Sequence, residues 1–213
     1  MVLSDDGKEL NDIGLEGKPW GIVIVPDKEE AIVTLPDGNF LQIINTSTMR
    51  AKQKIMVPDT CYGITVIDND LVPGNKGVIY IINREGQRLK TIKVGKCTMF
   101  SLYCGKDKTL YCCDTANDKF YGIKQDGTIL FSFSSGDISR PIGVAAAGNG
   151  NLYVTASLSN NVHCFTPDGK HKGIMLKTED GLDHPYDIAF SKKSSKVFMV
   201  NQTEKSVLKF SHY

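Results

Sequence analysis

Several things are scarce or missing in this chain of 213 residues. No apolar run approaches the ~18 residues that a membrane span requires. The first residues, Met1-Val2-Leu3-Ser4-Asp5-Asp6, lack the basic start and apolar stretch of a secretory signal. Neither sign of charge dominates: 25 Lys and Arg stand against 24 Asp and Glu, a net charge of +1. That balance argues against a basic tail, a globally basic nucleic-acid binder and an acidic solvating segment. No stretch sustains a 3.6-residue apolar period, so no helix is expected. The apolar fraction is an ordinary 41%, which excludes a disordered chain.

Other absences concern chemistry. There is no Cys-x-x-Cys pair, and His163, His171, His184 and His212 are not spaced like zinc ligands. Gly148-Asn149-Gly150 is followed by no Lys-Ser/Thr, so it reads as a hairpin rather than a phosphate loop. No Gly-x-Ser-x-Gly elbow occurs. Asp68-Asn69-Asp70 has Pro73 and Ile79 where a calcium loop needs Gly and Glu, and reads as a polar turn. No metal, no cofactor and no catalytic residue are therefore expected. Cys61, Cys97, Cys104, Cys112, Cys113 and Cys164 lie mostly in apolar stretches, as buried free thiols do. With no leader evident, the expected compartment is the cytoplasm.

What the chain does have is repetition. Trp20-Gly21-Ile22, Tyr62-Gly63-Ile64, Phe100-Ser101-Leu102, Ile142-Gly143-Val144 and Tyr186-Asp187-Ile188 recur roughly every 40 residues. A second apolar run follows each, as in Ala31–Val33, Leu110–Cys112, Leu152–Val154 and Val197–Val200. Then comes a third, as in Phe40–Ile44, Lys119–Ile123, Val162–Phe165 and Val207–Phe210. Turn pairs Glu85-Gly86, Asp126-Gly127 and Asp168-Gly169 lead into a last, more polar run. Short β-rich runs bounded by Gly, Asn, Asp and Pro are strands. Four strands in roughly 40–45 residues is the arithmetic of a β-propeller blade.

The expectation is one all-β domain over 1–213, a β-propeller of about five four-stranded blades. Gly21, Gly63, Ser101, Gly143 and Asp187 should occupy equivalent places on the innermost strands. Leu3–Lys8 repeats Phe165–Lys170, and the last repeat stops at a third strand. The N-terminal strand, with Leu10, Ile13 and Leu15 as its packing residues, is therefore expected to close the ring as the missing outer strand. The second repeat carries Pro73 within Asp68–Gly77, so its second strand should be weak or short.

The repeats resemble NHL repeats, the propeller units at the C-terminal end of many tripartite-motif (TRIM) proteins. Ser139-Arg140-Pro141-Ile142-Gly143-Val144-Ala145, Leu110–Lys119 and Asp183-His184-Pro185-Tyr186-Asp187-Ile188 carry the resemblance, which spans roughly residues 3–213. Family propellers commonly have six blades, against five counted here. The resemblance implies a non-catalytic scaffold that binds a protein partner, the substrate-recruiting part of a RING-type ubiquitin ligase whose zinc modules are absent from this chain. An RNA-binding propeller acting after transcription is the alternative, with Arg84, Arg88, Lys90, Lys93, Lys96, Lys192, Lys193 and Lys196 as its basic clusters. A propeller hydrolase or lyase is the remote alternative, with His184, Tyr186 and Asp187 as its cluster. The binding rim is placed where the innermost strands begin, at Lys18, Trp20, Tyr62, Arg140, His184 and Tyr186. Arg140 is expected to be extended because Pro141 follows it.

Overall fold

The computed structural model describes residues 2–3, 8–191, 196–201 and 206–211. After β1 (Val2–Leu3) and β2 (Glu9–Asn11) the chain builds one sheet after another. The first blade is β3 (Ile22–Ile24), β4 (Glu30–Leu35), β5 (Phe40–Asn45) and β6 (Arg50–Met56). The second is β7 (Gly63–Ile67), β8 (Asp70–Asn75), β9 (Val78–Ile82) and β10 (Arg88–Lys93). The third is β11 (Met99–Cys104), β12 (Leu110–Asp114), β13 (Lys119–Ile123) and β14 (Ile129–Phe133). The fourth is β15 (Pro141–Ala146), β16 (Leu152–Ala156), β17 (Asn161–Phe165) and β18 (His171–Leu176). The fifth holds three described strands, β19 (Pro185–Phe190), β20 (Lys196–Asn201) and β21 (Ser206–Ser211). Each sheet is a meander of consecutive strands, and the fold is an all-β propeller of five blades. Helix among the described residues is confined to two short 3₁₀ turns.

Burial follows the layering. Second and third strands such as β16 and β17 are buried along their whole length. Both their faces meet neighbouring sheets, which is why they read as continuous apolar runs. Outer strands are polar: β6 is exposed at every residue but Ile55. Hairpins before the outer strands repeat one device. Gly86, Gly127 and Gly169 have φ of 83°, 93° and 88°, where a side chain would strain the backbone. Each of the three donates its N–H to the carbonyl three residues back.

The chain gathers into two compact units, residues 1–75 with 79–91 and residues 76–78 with 92–213. Within the first, the inner strands β3 and β7 are neighbours. The Thr34 hydroxyl accepts the Gly21 N–H at 2.8 Å and donates to the Tyr62 carbonyl at 2.8 Å. Within the second, β11, β15 and β19 run side by side. Their blades share two apolar cores, one around Phe120, Val154 and Phe165 and one around Tyr153, Ile188 and Met199. Ser101, Gly143 and Asp187 are the third residue of each of these strands; Ser101 and Gly143 lie inside a break in register, and Asp187 directly follows one.

Two expectations need correction. β1 and β2 pair with each other, Leu3 opposite Glu9, in the register of Phe165 opposite His171. The repeated sequence thus rebuilds its own hairpin, which needs only a local loop to close. Ile13 and Leu15 pack on Ala31, Val33 and Ile44 of the first blade, and β21 is paired only with β20 among the described residues. The turn residues 4–7 and the side chain of Leu10 lie outside the described residues. The second correction concerns β8, which is a full strand of six residues with Pro73 opposite Ile64. Leu71 and Val72 are fully buried there. Their burial outweighs the single ladder donor that proline removes.

Candidate active site

Arg140 and His184 occupy the same place in successive blades of the second unit, one residue before β15 and before β19. Both precede proline, and both have left-handed backbones, with φ of 54° and 49°. Arg140 is therefore not extended. Its N–H donates to the Asp118 carboxylate at 2.5 Å, and the N–H of His184 donates to the Asn160 side chain at 2.8 Å. Those acceptors come from the turn of the preceding blade and are themselves left-handed. Held bonds of this kind are what let non-glycine residues keep such a backbone.

The strained placement sets up an acid–base pair. Nδ1 of His184 lies 2.7 Å from Oδ1 of Asp183. A carboxylate oxygen accepts, so Nδ1 is the donor in this contact. Two residues further, the Tyr186 carbonyl is held by the Thr155 hydroxyl at 3.2 Å. Burial raises the pKa of the Tyr186 phenol, against the pull of the Arg140 charge. The phenol thus remains a proton donor at neutral pH. Arg140 is half-buried, and its guanidinium forms no ion pair among the described residues.

Asp187 follows directly. Solvent reaches it, yet protein crowds its carboxyl, and the lost hydration pushes its pKa up to about 6 despite the Ile188 N–H bonded to Oδ1. A Cβ on Gly143 would lie 2.8 Å from that same oxygen. The absent side chain makes the room in which the carboxyl sits.

The other rim residues belong to the first unit. Trp20 and Tyr62 meet edge to face, with ring centroids 5.2 Å apart, and Trp20 is 41% exposed. Lys18 is exposed on the segment before them. Of the basic clusters, Arg84 is an internal tie, bonded to Glu30 at 2.8 Å and to the Asn69 carbonyl at 3.3 Å. Lys192 and Lys193 lie outside the described residues. No group of three or more His, Cys, Asp or Glu gathers as metal ligands do among the described residues. Among the described residues no helix is long and apolar enough to cross a membrane.

The sequence singled out His184, Tyr186 and Arg140 for the rim, and not Asp183, Asp118 and Asn160, to which His184 and Arg140 are bonded. The adjacent Asp183-His184 dipeptide is the one local signal of the pair. The roles of Asp118 and Asn160 depend on contacts across more than twenty positions.

The fold is a β-propeller, with the Asp183–His184 contact just before an inner strand. No family model matches the chain, and no curated protein matches its sequence. Neither comparison shows the tripartite-motif family. Among solved structures, virginiamycin B lyase from Staphylococcus aureus matches with a TM-score of 0.70 and 19% identity, over 98% of this chain and 75% of that one. A catalytically inactive histidine-to-alanine form of that lyase with quinupristin gives a TM-score of 0.69 at 19% identity over the same shares. A streptogramin B lyase gives 0.65 and 15%, covering 92% of this chain and 83% of that one. At these identities the likeness shows the propeller fold. The expectation that the chain is no enzyme is corrected nonetheless, because these neighbours are lyases.

Proposed function

We propose that this chain is a propeller enzyme of the lyase type, with His184 as its base. The observation that carries the reading is the Asp183–His184 pair, 2.7 Å apart on a backbone pinned by Asn160. A base on a locked backbone, oriented by a carboxylate, is the arrangement proton abstraction needs. Its structural neighbours being lyases supports the same class. In the proposed step Nε2 of His184 takes a proton from a carbon beside a carbonyl. The electron pair forms a C=C bond, the bond from the next carbon to its leaving oxygen or nitrogen breaks, and the Tyr186 phenol protonates that leaving atom. Water then returns the proton from His184 to Tyr186. Arg140 stabilises the negative charge that builds on the substrate carbonyl oxygen.

Quinupristin, the compound bound by one neighbour, is the first substrate to try. Mass spectrometry separates the chemistries, since elimination adds nothing to the substrate and hydrolysis adds one water. His184→Ala should lower the rate by about 100-fold or more while the fold is retained. A product carrying added water, or equal rates for wild type and His184→Ala, would overturn the assignment.

A second reading, docking of a protein partner, is favoured by the exposed Trp20 against Tyr62, an aromatic pair of the kind that anchors interfaces. Crosslinking and pull-down that score protein and RNA together test it, with loss of capture by Trp20→Ala expected.

A further inference from the structure

Where β11 and β15 end, in the second unit, the loops leave a cavity of about 300 Å³. It lies a full strand length from Arg140, so the proposed elimination makes no use of it. One wall is aromatic: the rings of Tyr103 and Tyr111 stack with centroids 6.2 Å apart and planes at 27°. Tyr111 is fixed behind, 1% exposed, its hydroxyl donating to the Pro167 carbonyl at 2.9 Å. Tyr103 is half-buried and offers the reachable face. Ala146, Ala147 and Gly150 also line it, and their smallness leaves the space open. Gly150 has nothing within 4 Å of where a Cβ would stand.

The polar side chains at the mouth are few: Lys106, Asp107 and the Tyr103 hydroxyl. The Lys106 ammonium is exposed and has no ion pair among the described residues. The Tyr103 hydroxyl has no hydrogen-bond partner among them either. Asp107 also lines the cavity, but its carboxylate is turned to Thr109, accepting the backbone N–H at 3.2 Å and the hydroxyl at 2.7 Å. What remains is a flat aromatic wall, one cation and one hydroxyl donor around a space at the small end of ligand pockets, ~300–1,000 Å³. A polyphosphate would need more cations than Lys106, and a bare hydrocarbon would leave Lys106 and the Tyr103 hydroxyl unused. We propose that this cavity binds a small aromatic carboxylate of one or two rings, its ring on Tyr103 and its carboxylate on Lys106.

The test is calorimetric titration of the full chain with 2-naphthoate, with 2-naphthalenemethanol as the uncharged match. Naphthoate should bind at sub-millimolar concentration and one to one. Lys106→Ala, a surface change with no risk to the fold, should weaken it about three- to fivefold, as befits an exposed ion pair. The alcohol should bind wild type and Lys106→Ala alike. Tyr103→Ala should weaken both probes about tenfold by removing the stacking face. His184→Ala should leave naphthoate binding unchanged, because the two places are at opposite ends of the strands. No binding of naphthoate in the millimolar range, or equal binding by wild type, Lys106→Ala and Tyr103→Ala, would overturn the proposal.

Discussion

The hydroxyl of Thr155 donates to the carbonyl of Tyr186 across 3.2 Å, tying the second strand of the fourth blade to the inner strand of the fifth. The same oxygen accepts the N–H of Gly143 at 2.9 Å. Thr34 makes the equivalent pair of bonds to Gly21 and Tyr62 within the first unit. A buried threonine is thus the fastener between successive blades, and it holds the residue that precedes Asp187.

Thr155→Val keeps the shape and deletes the fastener, leaving a buried N–H and a carbonyl without their partner. The expected loss is about 1–3 kcal/mol, read as a lower melting temperature. Thr155→Ser should recover most of it. Equal melting of all three proteins would show that the hydroxyl contributes nothing.

Gly143 is small because the next inner strand is close. A Cβ there would stand 2.9 Å from the Asp187 Cα and from the Thr155 hydroxyl. Gly143→Ala should therefore destabilise by about 1–3 kcal/mol, as overpacking does. Gly148, with nothing within 4 Å of its would-be Cβ, is the control. Gly148→Ala should be neutral or stabilise by about 0.4–1 kcal/mol through the unfolded chain. Denaturant titration of both variants checks the contrast.

The blades were legible because they depend on local pattern. Runs such as Leu152–Val154 and turns such as Asp168-Gly169 announce strand and hairpin within a few residues. Pro73 misled because its cost is local and visible, whereas the burial of Leu71 and Val72 that overcomes it comes from neighbouring strands. The N-terminal segment misled differently. Its likeness to Phe165–Lys170 was real, but likeness identifies a hairpin and not the sheet that it joins. At the site, His184 could be named from sequence. Its left-handed backbone could not, since that follows from Asn160, a turn residue of the previous blade.

His163 is fully buried, with Nε2 3.1 Å from the Asp137 carbonyl and Nδ1 3.0 Å from Nε2 of His171. The carbonyl only accepts, so His163 keeps its proton on Nε2, and Nδ1 accepts from His171. Burial lowers its pKa below the ordinary 6.5, and the His171 charge adds to that despite the Asp137 carbonyl. The unfolded chain therefore binds the proton first as pH falls. Stability from the neutral ring is complete above 6.5 and is lost as pH drops toward the folded value. Between about pH 7.5 and 5.5 the melting temperature of wild type should fall more than that of His163→Gln. Parallel curves would mean that His163 does not titrate on unfolding.

Asp187 works in the opposite sense. Its folded pKa is raised from 3.8 to about 6, chiefly by the loss of hydration. The folded protein then binds the proton more tightly than the unfolded chain, so the neutral carboxyl suits the fold below 3.8 and that advantage is gone once pH passes about 6. At neutral pH the protein carries a charged group that its surroundings disfavour. Asp187→Asn, which keeps the shape and removes the charge, should be more stable than wild type at about pH 8 and should lose that margin at about pH 4. Chemical denaturation at both values measures it, and a margin independent of pH would refute the raised pKa. A residue that lowers stability where the protein works is the usual mark of a group kept for chemistry. Under the proposed elimination, the same variant should therefore be slower than wild type. A stabilised variant with undiminished rate would place Asp187 outside the reaction.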